Sequence, residues 1–173
     1  MTRGALEDLG RQVAESVGIP PTGWLAQVAR ESAWNPIAVG SAGELGLSQI
    51  KAGTMLDMGG NPGRWTDPEH NMSCGAAYLR EQYDRFHSWS AALAAYNWGP
   101  GALSRSDAVA ENGVILSRLP ASVRDYVEDL APAYGDAVGD DFAGTPEPGS
   151  GLGLAALVGL SAVGYALWRG VRA

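Results

Sequence analysis

The sequence predicts a mostly α-helical globular domain joined by a flexible linker to a C-terminal transmembrane helix. Three observations carry that expectation. Apolar side chains recur at helical spacing up to Tyr134, no segment shows the alternation of a half-buried strand, and the composition changes abruptly after Tyr134. The chain has 173 residues, enough for one domain of about 150 residues with a short appendage and not for two. Apolar residues make up 46% and charged residues 18%, which argues against intrinsic disorder. A formal net charge of −7 repels phosphate, so nucleic acid is not an expected partner. Cys74 has no second cysteine to pair with, and His70 and His87 alone do not complete a zinc cage, so no metal or other cofactor is expected. Of the 12 basic residues only Lys51 is a lysine.

Leu6, Leu9, Val13 and Val17 mark a first helix. Pro20, Pro21 and Thr22 open a second, bearing Trp24, Leu25 and Val28, which Asn35-Pro36 must end because a residue before proline avoids the α region. Ala76, Leu79, Tyr83 and Phe86 mark a helix over 72–86, for which Asn71 is a candidate cap. Ser90 is expected to cap a short alanine-rich helix that stops at Gly99-Pro100, and Ser122 a last one bearing Val123, Tyr126, Val127 and Leu130. The stretches 40–63 and 99–114 read as glycine-rich loops.

The expected boundaries are a domain over 1–134, a linker over 135–150, a transmembrane helix over 151–168 and a short basic tail over 169–173. The linker is rich in glycine, proline and acidic residues and cannot bury a core. From Pro148 to Trp168 there is no charged side chain, and as a helix that run would reach about 30 Å, the thickness of a bilayer core. Tyr165, Trp168, Arg169 and Arg172 resemble an interfacial anchor, whereas the many glycines and alanines also suit a helix docked on the domain. Acidic residues before the run and arginines after it place the carboxyl terminus in the cytoplasm. Gly151, Ala155 and Gly159 share one face, which permits close packing into a homo-oligomer. Met1 to Pro20 holds no apolar run of secretory length, so no N-terminal export signal is expected.

Glu31 lies in the last turn of the second helix, between Val28 and Trp34 one turn to either side. The partial negative charge of a helix C-terminus disfavours an ionised carboxylate, and apolar neighbours do the same, so both would raise its pKa and keep it protonated as a general acid. The same pattern also fits an exposed glutamate paired with Arg30.

Glu31-Ser32-Ala33-Trp34-Asn35-Pro36 is followed by Gly43-Glu44-Leu45-Gly46-Leu47-Ser48-Gln49-Ile50, by Asp67-Pro68-Glu69-His70-Asn71-Met72, by Ala94-Ala95-Tyr96-Asn97-Trp98-Gly99-Pro100-Gly101, and by Leu119-Pro120 with Arg124-Asp125-Tyr126-Val127. This ordered set, from about Pro21 to Leu130, resembles the lytic transglycosylases of the SLT family, whose domain has a goose-type-lysozyme-like fold. The resemblance implies cleavage of the β-1,4 bond between N-acetylmuramic acid and N-acetylglucosamine in peptidoglycan, leaving a 1,6-anhydromuramyl end. It implies that Glu31 is the single catalytic acid and base, that Ser32 and Gln49 line the cleft, and that Tyr96 and Asn97 face the reacting sugar. Asn71 and Tyr126 match further family positions, where support of the site and substrate contact are both open. The family often has methionine where Ser48 stands and an apolar residue where Lys51 stands, departures that bear on the sugar subsites rather than on the acid. Glu44 is a second carboxylate able to hold a water, which keeps a goose-type muramidase open as an alternative.

A third alternative is a non-catalytic glycan-binding component of a virion or secretion machine. Because the substrate lies outside the cytoplasmic membrane, the expected partners are peptidoglycan strands, the lipid bilayer, and virion or secretion-machine proteins. The expected place is a virion internal membrane or a host inner membrane, with the domain facing the wall it opens for phage genome passage.

Overall fold

The computed structural model describes residues 1–136. The predicted transmembrane segment 151–168, the tail 169–173 and the linker beyond Asp136 lie outside them. Among the described residues no helix is long and apolar enough to cross a membrane.

Five helices build the body: α1 (Arg3–Val17), α2 (Pro21–Ser32), α4 (Pro68–Phe86), α5 (Trp89–Trp98) and α7 (Ala121–Leu130). The central one is α5, in which every residue from Ser90 to Ala95 is buried; a helix apolar around its whole circumference has to sit inside its neighbours. It packs against α4 on one side and α7 on another, and α1 closes over α4 and α2. Trp24, Val28, Leu47, Met72, Leu79 and Leu93 are fully buried in the core these helices share.

The two stretches expected to be glycine-rich loops hold short regular elements. In the first are a hairpin of β1 (Glu44–Leu45) and β2 (Ile50–Lys51) and the helix α3 (Ala52–Asp57); in the second are α6 (Pro100–Arg105) and a hairpin of β3 (Val109–Ala110) and β4 (Gly113–Val114). Two-residue strands and six-residue helices are too short to imprint a period on the sequence.

Three expected caps are also replaced. Asp67 caps α4 by accepting the His70 N–H, with Pro68 preset at the first helical position, so Asn71 lies inside the helix and is buried. Ser88, not Ser90, caps α5, its hydroxyl accepting the Ala91 N–H at 3.3 Å. Pro120 takes the cap position of α7 with no side-chain bond, which leaves Ser122 exposed in the first turn.

The chain past α7 folds back as a single 3-10 turn, Ala131–Tyr134. The Tyr134 ring stacks on Trp89 at 5.0 Å, and its hydroxyl donates to Gln27 Oε1 at 2.6 Å. Asp136 then reaches the start of α5, where its carboxylate accepts the Ser90 N–H at 2.7 Å and the Ser88 hydroxyl at 3.3 Å. Its charge suits the positive end of that helix.

Candidate active site

Glu31 sits in the last turn of α2 because the helix is cut immediately behind it. Ala33 and Trp34 both adopt left-handed backbone, at φ 49° and 65°, a conformation costly for residues with a side chain. The strain is held by packing, since the Trp34 indole is buried in the core. Burial pushes the Glu31 carboxyl up to about 7, against the pull of a hydrogen bond from Tyr126 and the Arg30 charge, with the Glu44 carboxylate adding to the rise. Tyr126, on α7, donates its hydroxyl to Glu31 Oε1 at 2.5 Å. The Arg30 guanidinium lies over the Tyr126 ring, 5.2 Å from its centroid, and pairs with Asp129.

Opposite the acid stands the β1–β2 hairpin, and Asn71 is what holds it there. Its side-chain oxygen accepts the Ser48 N–H at 2.9 Å and the Ser48 hydroxyl at 2.8 Å, and its amide donates to the Leu45 carbonyl at 3.0 Å. Gly46 permits this approach, with φ 72° and no side chain; a Cβ there would meet Asn71 Nδ2 at 2.4 Å. Ser48 is therefore a buried polar link, and its carbonyl accepts the Tyr96 hydroxyl at 2.7 Å, which fixes the tyrosine at the end of α5. Gln49, at φ 45°, donates to the Gly46 carbonyl at 2.8 Å and the Ala38 carbonyl at 3.3 Å.

A cleft of about 460 Å³ lies between these elements. Glu31, Gln49, Tyr96 and Asn97 line it together. Ser32, Asn71 and Tyr126 do not: the Ser32 hydroxyl turns back to the Val28 carbonyl, and the other two stand behind the wall. Sequence reasoning did not single out Tyr78 and Thr54, which also line the cleft. Tyr78 packs on Tyr96 with ring centroids 5.2 Å apart. A signal existed for Tyr78, because it follows Asn71 by seven residues on α4 and so shares its face. Among the described residues no three His, Cys, Asp or Glu side chains are grouped as metal ligands.

The sequence matches the transglycosylase SLT domain family over residues 8–113. The chain belongs to that family. This SLT domain is 34% identical over 144 residues to the soluble lytic murein transglycosylase of Escherichia coli strain K12, an alignment covering 73% of this chain and 22% of that protein. It is 35% identical over 146 residues to membrane-bound lytic murein transglycosylase F of Alcanivorax borkumensis, covering 75% of this chain and 29% of the relative. It is 32% identical over 115 residues to the transglycosylase of enterobacteria phage PRD1, covering 62% and 43%. The crystal structure of the 70 kDa soluble lytic transglycosylase from Escherichia coli superposes with a TM-score of 0.61 at 33% identity, over 73% of this chain and 23% of that one. The SLT domain described here thus spans between about a fifth and less than half the length of these relatives. Its family match stops at residue 113, short of Tyr126, yet the fold returns that tyrosine to the acid.

Proposed function

We propose that this chain is a peptidoglycan lytic transglycosylase in which Glu31 is both acid and base. The observation that carries the reading is the buried Glu31 carboxyl, raised to about 7 at the wall of the cleft. Such a group gains and loses its proton near neutral pH, so it can give one up and take it back. The Glu31 proton passes to the glycosidic oxygen as the bond from muramic C1 to that oxygen breaks, freeing the 4-hydroxyl of N-acetylglucosamine. The C6 oxygen of the muramyl residue then bonds to C1, and its proton restores the Glu31 carboxyl. No water is consumed. The 2-acetamido group of the substrate serves as internal nucleophile between the two steps, which removes the need for a carboxylate nucleophile from the protein. Tyr126 orients the acid, while Tyr96, Asn97 and Gln49 contact the sugars; Ser32 and Asn71 support the walls.

A second reading, a muramidase that uses water, is favoured by Glu44, whose carboxylate lines the same cleft. Mass spectrometry of products released from purified sacculi separates the two. The expected result is 1,6-anhydromuramic ends; mainly reducing muramic acid would install the hydrolase.

The enzyme is further proposed to work while tethered to a membrane, opening the wall locally for phage genome passage. The uncharged run from Pro148 to Trp168 supports the tether, and the membrane-bound and phage relatives are in keeping with it. Full-length protein is expected to float with lipid vesicles and to resist alkaline carbonate, whereas a chain cut after Asp136 stays with the soluble fraction and still cleaves sacculi. A full-length chain that remains soluble and monomeric without lipid or detergent would end the tethering proposal.

A further inference from the structure

We propose that Lys51 is a specificity residue of the cleft, an ammonium group that takes a carboxylate carried by the glycan strand. The proposal deepens the reading of the chain as a peptidoglycan-cleaving enzyme and rests on it. The hairpin register sets Lys51 directly opposite Glu44, and Leu45 opposite Ile50. In an antiparallel pair, residues directly opposite share a face, so the two charged side chains project together while the Leu45 and Ile50 pair turns to the other side. Glu44 and Lys51 both line the cleft that holds Glu31.

The two partners of that ion pair are held very differently. Glu44 is fixed: its Oε2 accepts the Ala42 N–H at 3.0 Å, and Gly40 makes room for it, since a Cβ there would meet the same oxygen at 2.4 Å. Hydrogen bonds from its own N–H and from Ala42, together with the Lys51 charge, hold its carboxyl below the usual range and keep it ionised. Lys51 has one partner at 3.5 Å, and its side chain is 57% exposed against 26% for that of Glu44. An ammonium carries three donors, so most of the capacity of Lys51 is unspent within the protein, and an exposed pair of this kind exchanges readily for a better-placed anion.

Charge explains why the anion settles here. The protein is acidic, and two carboxyl groups line the cleft. Among the described residues Lys51 is the only basic side chain in that lining. With Glu31 carrying a proton as the acid and the Glu44 charge paired, Lys51 is the group in the described lining that a substrate carboxylate can join. Peptidoglycan strands bear carboxylates in two places, on the muramic lactyl group where the stem peptide has been removed and on the stem peptide itself.

The test compares the unaltered protein, Lys51→Met and Lys51→Arg on three glycans: peptide-free strands with free lactyl carboxylates, strands bearing stem peptides, and peptide-free strands whose carboxylates have been converted to methyl amides. Lys51→Met is expected to raise KM about fivefold on a carboxylate-bearing strand, with the loss falling on KM rather than kcat, and Lys51→Arg to recover most of it. On the amidated strand the three proteins are expected to agree. A rise confined to the peptide-free strand identifies the lactyl group, and one confined to the peptide-bearing strand identifies the stem. An equal rise on the amidated strand, or none on either charged strand, overturns the proposal. If the unaltered protein cleaves none of the three, the enzymatic reading fails instead, and the same comparison read as affinity by calorimetry still decides the role of Lys51.

Discussion

Glu31→Gln is expected to reduce the release of soluble fragments from purified sacculi by at least about a hundredfold, the usual scale of general acid catalysis, while making the domain more stable at alkaline pH. The amide keeps the size of the carboxyl and its capacity to accept from Tyr126 but has no proton to give. The stability gain follows from the raised pKa. A carboxyl near 7 in the folded chain, against an ordinary 4.5, binds its proton more tightly folded than unfolded. Its stabilising contribution is complete below 4.5 and is lost as pH rises through about 7. Above that pH the ionised, buried Glu31 weighs against folding by up to about 3 kcal/mol, which the glutamine removes. Urea unfolding at pH 5 and pH 8 should therefore show little difference at the first and a more stable variant at the second. The activity of the unaltered protein should fall as pH rises past about 7, because the acid is then spent before substrate arrives. Near-normal turnover in the variant would remove Glu31 from the chemistry.

Asn71→Ala is expected to damage fold and activity together. It leaves the Ser48 N–H and the Leu45 carbonyl without their side-chain partner, while the Ser48 hydroxyl keeps the backbone carbonyl of residue 71 as acceptor at 3.0 Å. At about 1–3 kcal/mol for each unsatisfied buried group, partial relaxation still leaves a loss of about 3 kcal/mol. Because Ser48 also anchors Tyr96, release of the hairpin moves Gln49 and Tyr96 away from Glu31, and turnover should drop by about tenfold or more. Urea unfolding and sacculus digestion measure the two losses. An unchanged unfolding midpoint would show that the hairpin is held by something else.

The contrast between these two residues shows where sequence reading succeeds. The place of Glu31 at the end of α2 was legible because that setting is local, one turn from Val28 in a helix that Asn35-Pro36 must stop. The same pattern fitted an exposed glutamate, and only the spaced motifs set the residue apart. The helices α1, α2, α4, α5 and α7 were legible from local pattern as well, each being long enough to repeat its apolar face. Asn71 matched a motif, but its work is done on Ser48, 23 residues earlier in the chain, and no local pattern records that bond. Tyr126 reaches Glu31 across 95 residues and is equally silent. Ser88 and Ser90 show a subtler limit. Both are good capping types, two positions apart, and what places the cap on Ser88 is its extended backbone, at φ −147° and ψ 139°.

The seating of Asp136 on the start of α5 has a mechanical consequence. Any load applied to the chain from residue 137 onward falls first on the bonds from Ser90 and Ser88 to Asp136, and next on Tyr134, wedged against Trp89 and tied to Gln27. Those anchors lie at the amino end of α5, whereas Tyr96 and Asn97 stand near its other end, about 9 Å along the axis from Ser90. Traction is thus absorbed by the start of the helix and by α2 before it reaches the end that lines the cleft. A pull on the chain past Asp136 therefore leaves the two sides of the cleft in register.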